Sequence, residues 1–112
     1  MFRGDGRAVG EIFENGMLAR NPAMSVEEHL AGGNGLIVTL KSKFVADGFA
    51  IQNKGVTYVI DDVGGIRVKY PRHFRHLAGE REVVFRQIDP SRIRGAYTST
   101  GEWFPNSNYL GG

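Results

Sequence analysis

The sequence contains no cysteine. A disulfide scaffold, a thiolate zinc site and a cysteine nucleophile are therefore excluded. No apolar run approaches the roughly 20 residues needed to span a bilayer. The opening residues, 1–10, are polar and charged and do not read as a signal peptide. Only four prolines are present, against sixteen glycines in 112 residues. That balance predicts many turns and short elements instead of long helices. A chain of this length is expected to form one domain, residues 1–112, around a small core.

The net charge is only +2, but it is unevenly spread. Between Arg67 and Arg94 eight basic residues face three acids, Glu80, Glu82 and Asp89. A basic second half suits an anionic cofactor, an acidic partner or nucleic acid, but charge alone more often marks a solvated basic face.

Residues 1–4 read as a short strand ending in a Gly-Asp-Gly turn. Val9, Ile12 and Phe13 lie at helical spacing within 8–17, and Asn15-Gly16 supplies a stop. Ser25 with Glu28 forms a capping-box pattern for a second helix ending near 31–33. The run 35–40 is β-branched and apolar and reads as a buried strand, and Ser42 caps a further helix. Strands are predicted over 56–60, 66–70, 82–88 and 93–97, with an irregular Arg- and His-rich stretch over 70–79 and a turn at 89–91. The tail, 99–112, shows no period. Helices early and strands late indicate an α+β fold with mixed or antiparallel sheets.

Glu80 and Glu82 stand two apart where a loop enters a strand. Alternate strand residues share a face, so both carboxylates can reach one site. The pattern occurs often by chance, and an exposed pair is the commoner outcome. Its neighbours in chain order make it informative. The segment Phe2-Arg3-Gly4-Asp5-Gly6-Arg7, followed by Glu11-Ile12-Phe13-Glu14-Asn15-Gly16-Met17, resembles the opening of the pertussis-toxin-like ADP-ribosyltransferases. That family begins with a strand bearing Arg-x-Asp-x-Arg and a helix ending in Phe-x-x-Gly-Phe. Val26 to Gly32 resembles its next helix, with His29 in place of the family histidine. Ile37 to Ser42 resembles its Ser-Thr-Ser strand, and Glu80 to Phe85 its Glu-x-Glu strand. The resemblance spans residues 2–97.

It implies an ADP-ribosyltransferase-like fold, with sheets and short helices around a cleft that binds NAD⁺ as substrate. Glu82 would stabilise the cationic ribose formed as nicotinamide departs, and Arg3 would grip the diphosphate with its planar fork. Glu80 would orient and deprotonate the acceptor, favouring a protein arginine. Gly4, Asp5, Thr39, His29 and Phe49 complete the implied NAD⁺ site, with Phe44 as a second aromatic that could stack on nicotinamide. Thr39 departs from the pattern because Val38 and Leu40 flank it where the family has serines. No metal is expected, since His73 and His76 lack a third ligand.

The resemblance further implies a mono-ADP-ribosyltransferase toxin, a glycosyltransferase in reaction class. The setting expected is the catalytic end of a larger secreted polymorphic toxin used in interbacterial competition. It would act in the target-cell cytoplasm and be neutralised in the producer by a cognate immunity protein. Its target would be a protein such as a translation or cell-division factor, with RNA as another acceptor. Two other readings stay open. One is an NAD⁺ glycohydrolase of the same fold, which would not need Glu80. The other is a non-enzymatic RNA-binding module using the basic stretch with Tyr70, Phe74, Phe85 and Tyr97 as stacking surfaces.

Overall fold

The computed structural model describes residues 1–30, 35–67 and 83–111. Strand β1 (Phe2–Asp5) leads into helix α1 (Val9–Asn15) and strand β2 (Met17–Leu18). Helix α2 (Val26–Leu30), strand β3 (Ile37–Thr39), helix α3 (Lys43–Gln52), strand β4 (Val56–Ile60) and strand β5 (Ile66–Arg67) follow. The last part holds β6 (Val83–Phe85), β7 (Gln87–Ile88), a 3-10 turn (Pro90–Arg92), β8 (Ile93–Tyr97) and β9 (Trp103–Pro105). The expected end of the second helix at 31–33, the strand residues 68–70 and the stretch 70–79 lie outside the described residues. So do His73, His76, Glu80 and Glu82.

The local signals explain most boundaries. Gly16 ends α1 at φ 73°, a left-handed conformation that favours glycine, and its N–H donates to the Ile12 carbonyl at 2.8 Å. The Glu28 N–H donates to Ser25 Oγ at 3.1 Å, and the Val45 N–H to Ser42 Oγ at 3.3 Å, so both predicted caps form.

The strands pair in the order β1-β4-β8-β9 in one sheet and β3-β6-β5 in another, with β2 and β7 as a separate ribbon. Every pairing among the described strands is antiparallel. The two sheets meet edge to edge. Phe2 on β1 exchanges two backbone hydrogen bonds with Leu40 beyond β3, each 2.7 Å. The core between them gathers Ile12, Met17, Ile37, Tyr58, Phe85 and Ile93. Tyr58 is wholly buried, packs edge-on against Phe13 at 6.2 Å between ring centroids, and donates its hydroxyl to the Arg7 carbonyl at 3.0 Å.

One expectation needs correction. The strand read as 82–88 is two short strands that change partners at Arg86: β6 pairs with β3 and β5, while β7 pairs with β2. The run 83–88 contains no Gly, Pro or turn residue to mark such a change, because pairing is decided by distant segments. The tail without a period is ordered. It forms β9 and is pinned by side-chain amides. Asn106 Nδ2 donates to the Pro90 and Ile93 carbonyls at 2.9 and 2.8 Å, and Asn108 Nδ2 to the Phe13 carbonyl at 2.8 Å. Single polar anchors produce no hydrophobic period.

Candidate functional site

Strand β1 has two faces with different duties. Gly4 lies under α3, where a Cβ atom would overlap the Ala46 carbonyl and the Ala50 nitrogen. Only glycine lets the helix come this close. Arg3 and Asp5, flanking it, share the other face, as alternate residues of a strand must.

That face opens on a cleft of about 470 Å³. Among the described residues it is lined by β1 and its continuation (Arg3 to Arg7), by Leu18 and Arg20, by Leu36 and Ile37, and by Asn53. Such a volume lies within the usual range for cofactor-sized ligands, about 300–1,000 Å³. The cleft sits where the edge of one sheet meets the edge of the other.

Charge in the cleft is ordered around Asp5, whose carboxylate is only 6% exposed. Arg3 Nε donates to Asp5 Oδ2 at 2.9 Å. Arg7 donates from Nη2 to Oδ2 at 2.7 Å, and from both Nε and its backbone N–H to Oδ1 at 2.9 Å. Burial pushes the Asp5 carboxyl up, but the Arg7 hydrogen bonds, with the charge and hydrogen bond of Arg3, outweigh it and hold the group down at about 2. Arg3 Nη1 also donates to the Val38 carbonyl on β3 at 3.0 Å. The guanidinium is thus fixed from both sheets, and among the described residues Nη2 has no protein partner.

This arrangement makes acid stability a readout of the site. A carboxyl that titrates near 3.8 in the unfolded chain and about 2 in the folded one stabilises the fold above pH 3.8. That contribution, about 2 kcal/mol at roughly 1.4 kcal/mol for each tenfold change in proton affinity, is lost as pH falls from about 4 through about 2. Denaturant titrations at stepped pH should therefore show a shallower acid limb in Asp5→Asn than in the wild type. An identical limb would mean that Asp5 is not held ionised by its arginines.

The structure brings together Arg3, Gly4 and Asp5 of the sequence-derived set, and it adds Arg7, Leu18, Arg20, Leu36, Ile37 and Asn53. Arg7 belongs to the same short motif as Arg3 and Asp5, and that motif is its sequence signal. Arg20, Leu36 and Asn53 arrive from other segments with no sequence signal. Thr39, His29 and Phe49 are not among the described lining residues. The Thr39 side chain is fully buried, with its hydroxyl donating to the Val83 carbonyl at 2.7 Å. It ties β3 to β6 at the residue next after Glu82 in the sequence. His29 is half-buried on α2. Phe49 lies on α3 beside Gly4, and Phe44, 87% exposed, stands on the same helix. Among the described residues no group of three His, Asp or Glu side chains converges to hold a metal ion, and no helix is long and apolar enough to cross a membrane.

No protein-family model matches the chain, and no curated protein matches it by sequence. Solved structures do match. A structure named EcPltA superposes with a TM-score of 0.75 at 18% identity, covering 99% of this chain and 87% of its own. A variant of the Scabin toxin from Streptomyces scabies gives 0.78 at 23% identity, covering 99% and 77%. A guanine-specific ADP-ribosyltransferase gives 0.70 at 18% identity, covering 99% and 78%. At such identities the shared property is the fold. The chain has an α+β, ADP-ribosyltransferase-like fold, with antiparallel sheets and short helices.

Proposed function

We propose that this chain is a mono-ADP-ribosyltransferase toxin that cleaves NAD⁺ and transfers ADP-ribose to a macromolecule. The observation that carries the reading is the fixed Arg3 fork in a cofactor-sized cleft between two sheet edges, in a fold shared with ADP-ribosyltransferases. The described strands support it further. Arg3 is bonded to β3, β3 pairs with β6, and β6 starts one residue after Glu82.

In this reading Arg3 binds the diphosphate through Nη2, the guanidinium nitrogen that its bonds to Asp5 and the Val38 carbonyl leave over. Gly4 and Asp5 act indirectly, Gly4 by admitting α3 and Asp5 by holding Arg3 and Arg7. The glycosidic bond breaks with its electron pair passing to the nicotinamide ring nitrogen, which neutralises the pyridinium. Glu82 stabilises the resulting oxocarbenium-like carbon and accepts a hydrogen bond from the 2′-hydroxyl. The acceptor nitrogen then bonds to that carbon and gives a proton to Glu80. An arginine guanidinium needs such a base because it is always protonated in water. Thr39 serves by bracing β6 from β3, while Phe49 and Phe44 stay on α3, on the face of β1 that carries Gly4.

The preferred acceptor is an arginine of a target protein. The guanine-specific name of one structural neighbour favours a nucleic-acid base as the competing acceptor. The biological setting proposed is a delivered effector that works in the cytoplasm of a competing or host cell. A cognate immunity protein would cover the cleft in the producer.

The test is incubation with labelled NAD⁺ and target-cell lysate. Label is expected in a macromolecule, removable by protease and not by nuclease. Label lost to nuclease would move the acceptor to nucleic acid, and free ADP-ribose alone would make the chain a glycohydrolase. Under the same conditions Glu80→Gln should keep nicotinamide release within several-fold of wild type while transfer falls about 100-fold, within the range for loss of a general base. Equal loss of both activities would contradict the division of labour between the two glutamates.

A further inference from the structure

Arg20 lies outside every motif that the sequence offered, yet the fold delivers it to the same cleft as Arg3 and Arg7. The delivery has a clear cause. Met17 and Ala19 are buried, whereas Leu18 and Arg20 are exposed, so the in-and-out alternation of β2 continues beyond the strand. The Ala19 N–H donates to the Arg86 carbonyl at 2.8 Å and extends the ribbon with β7 by one residue. This bond keeps the backbone extended and sends the Arg20 side chain to the side where Leu18 stands.

Arg3 and Arg7 are both engaged with Asp5, whereas Arg20 has no acidic partner among the described residues. The three guanidiniums and one ionised carboxylate leave the described lining with two net positive charges. A diphosphate diester carries two negative charges. Beside Arg20 stand the apolar Leu18, 66% exposed, and Leu36. A cationic end next to an exposed apolar surface fits a nucleoside diphosphate better than a bare phosphate, because the nucleoside needs apolar cover.

We propose that Arg20 binds the second phosphate of the NAD⁺ diphosphate from the wall built by β2, opposing Arg3 on β1, with Leu18 covering the adenosine. This inference rests on the reading of the cleft as an NAD⁺ site. Arg20 is a binding residue in it. Its contacts are made to the substrate's unreactive part, so they act equally on ground and transition states.

The experiment uses the whole chain, with ADP as the probe in calorimetric titration and NAD⁺ in nicotinamide-release kinetics. Arg20→Ala should weaken ADP about tenfold or more, the loss of one charge-assisted hydrogen bond. The KM for NAD⁺ should rise by a similar factor with kcat within twofold, and Arg20→Lys should recover part of the loss. The melting temperature should not change, which separates binding from folding. Unchanged ADP affinity in Arg20→Ala, with wild type binding ADP, would overturn the role of Arg20 and leave the enzyme reading intact. A wild-type chain that binds neither ADP nor NAD⁺ would overturn both.

Discussion

Glu82→Gln should abolish almost all nicotinamide release, lowering kcat about 1,000-fold, at the upper end of what removal of one preorganised electrostatic contact costs. The substitution keeps the shape of the side chain and its hydrogen-bonding oxygen. It removes only the negative charge. NAD⁺ carries its positive charge on the nicotinamide ring in the ground state, and that charge moves to the ribose as the bond breaks. A carboxylate beside the ribose therefore interacts more strongly with the transition state than with bound substrate, which is the condition for an effect on kcat. KM and the melting temperature should stay close to wild type. Steady-state nicotinamide release and a thermal melt measure both. Retention of more than a tenth of wild-type kcat would remove Glu82 from the centre of the mechanism.

The fold was readable from the sequence wherever a local cause set the structure. Gly16 stops α1, and Ser25 and Ser42 cap α2 and α3, because a single residue satisfies backbone groups within one turn. The β-branched runs gave β3 and β4. Partner choice was not readable. Val83 to Ile88 looks like one strand, yet it serves two separate pairings, and nothing local at Arg86 announces the change. The site follows the same division. Arg3 and Asp5 lie two apart on one strand, so their meeting needed only the alternation of side chains. The carbonyl that fixes Arg3 from outside its own strand belongs to Val38, 35 residues away. Thr39, read as a site residue through its neighbours in the chain, turns out to spend its hydroxyl inside the core.

Arg3→Lys should lower kcat/KM for NAD⁺ about 100-fold, at the strong end of what one or two charge-assisted hydrogen bonds contribute. The variant keeps the charge, so any loss reports geometry. In the wild type Arg3 uses Nε for Asp5 and Nη1 for the Val38 carbonyl, which aims Nη2 with no further freedom. A lysine carries one nitrogen on a flexible stem. Placed on Asp5 it abandons both β3 and the diphosphate, and placed on the diphosphate it leaves Asp5 to Arg7 alone. The same variant should therefore melt a few degrees lower, because the side-chain link between the two sheet edges is cut. Adding Asp5→Asn should cost less in Arg3→Lys than in the wild type, since the two residues act as one unit. A variant with normal KM and additive losses would show that the Arg3 fork neither meets the substrate nor depends on Asp5. The cleft would then need another cation to hold a dinucleotide.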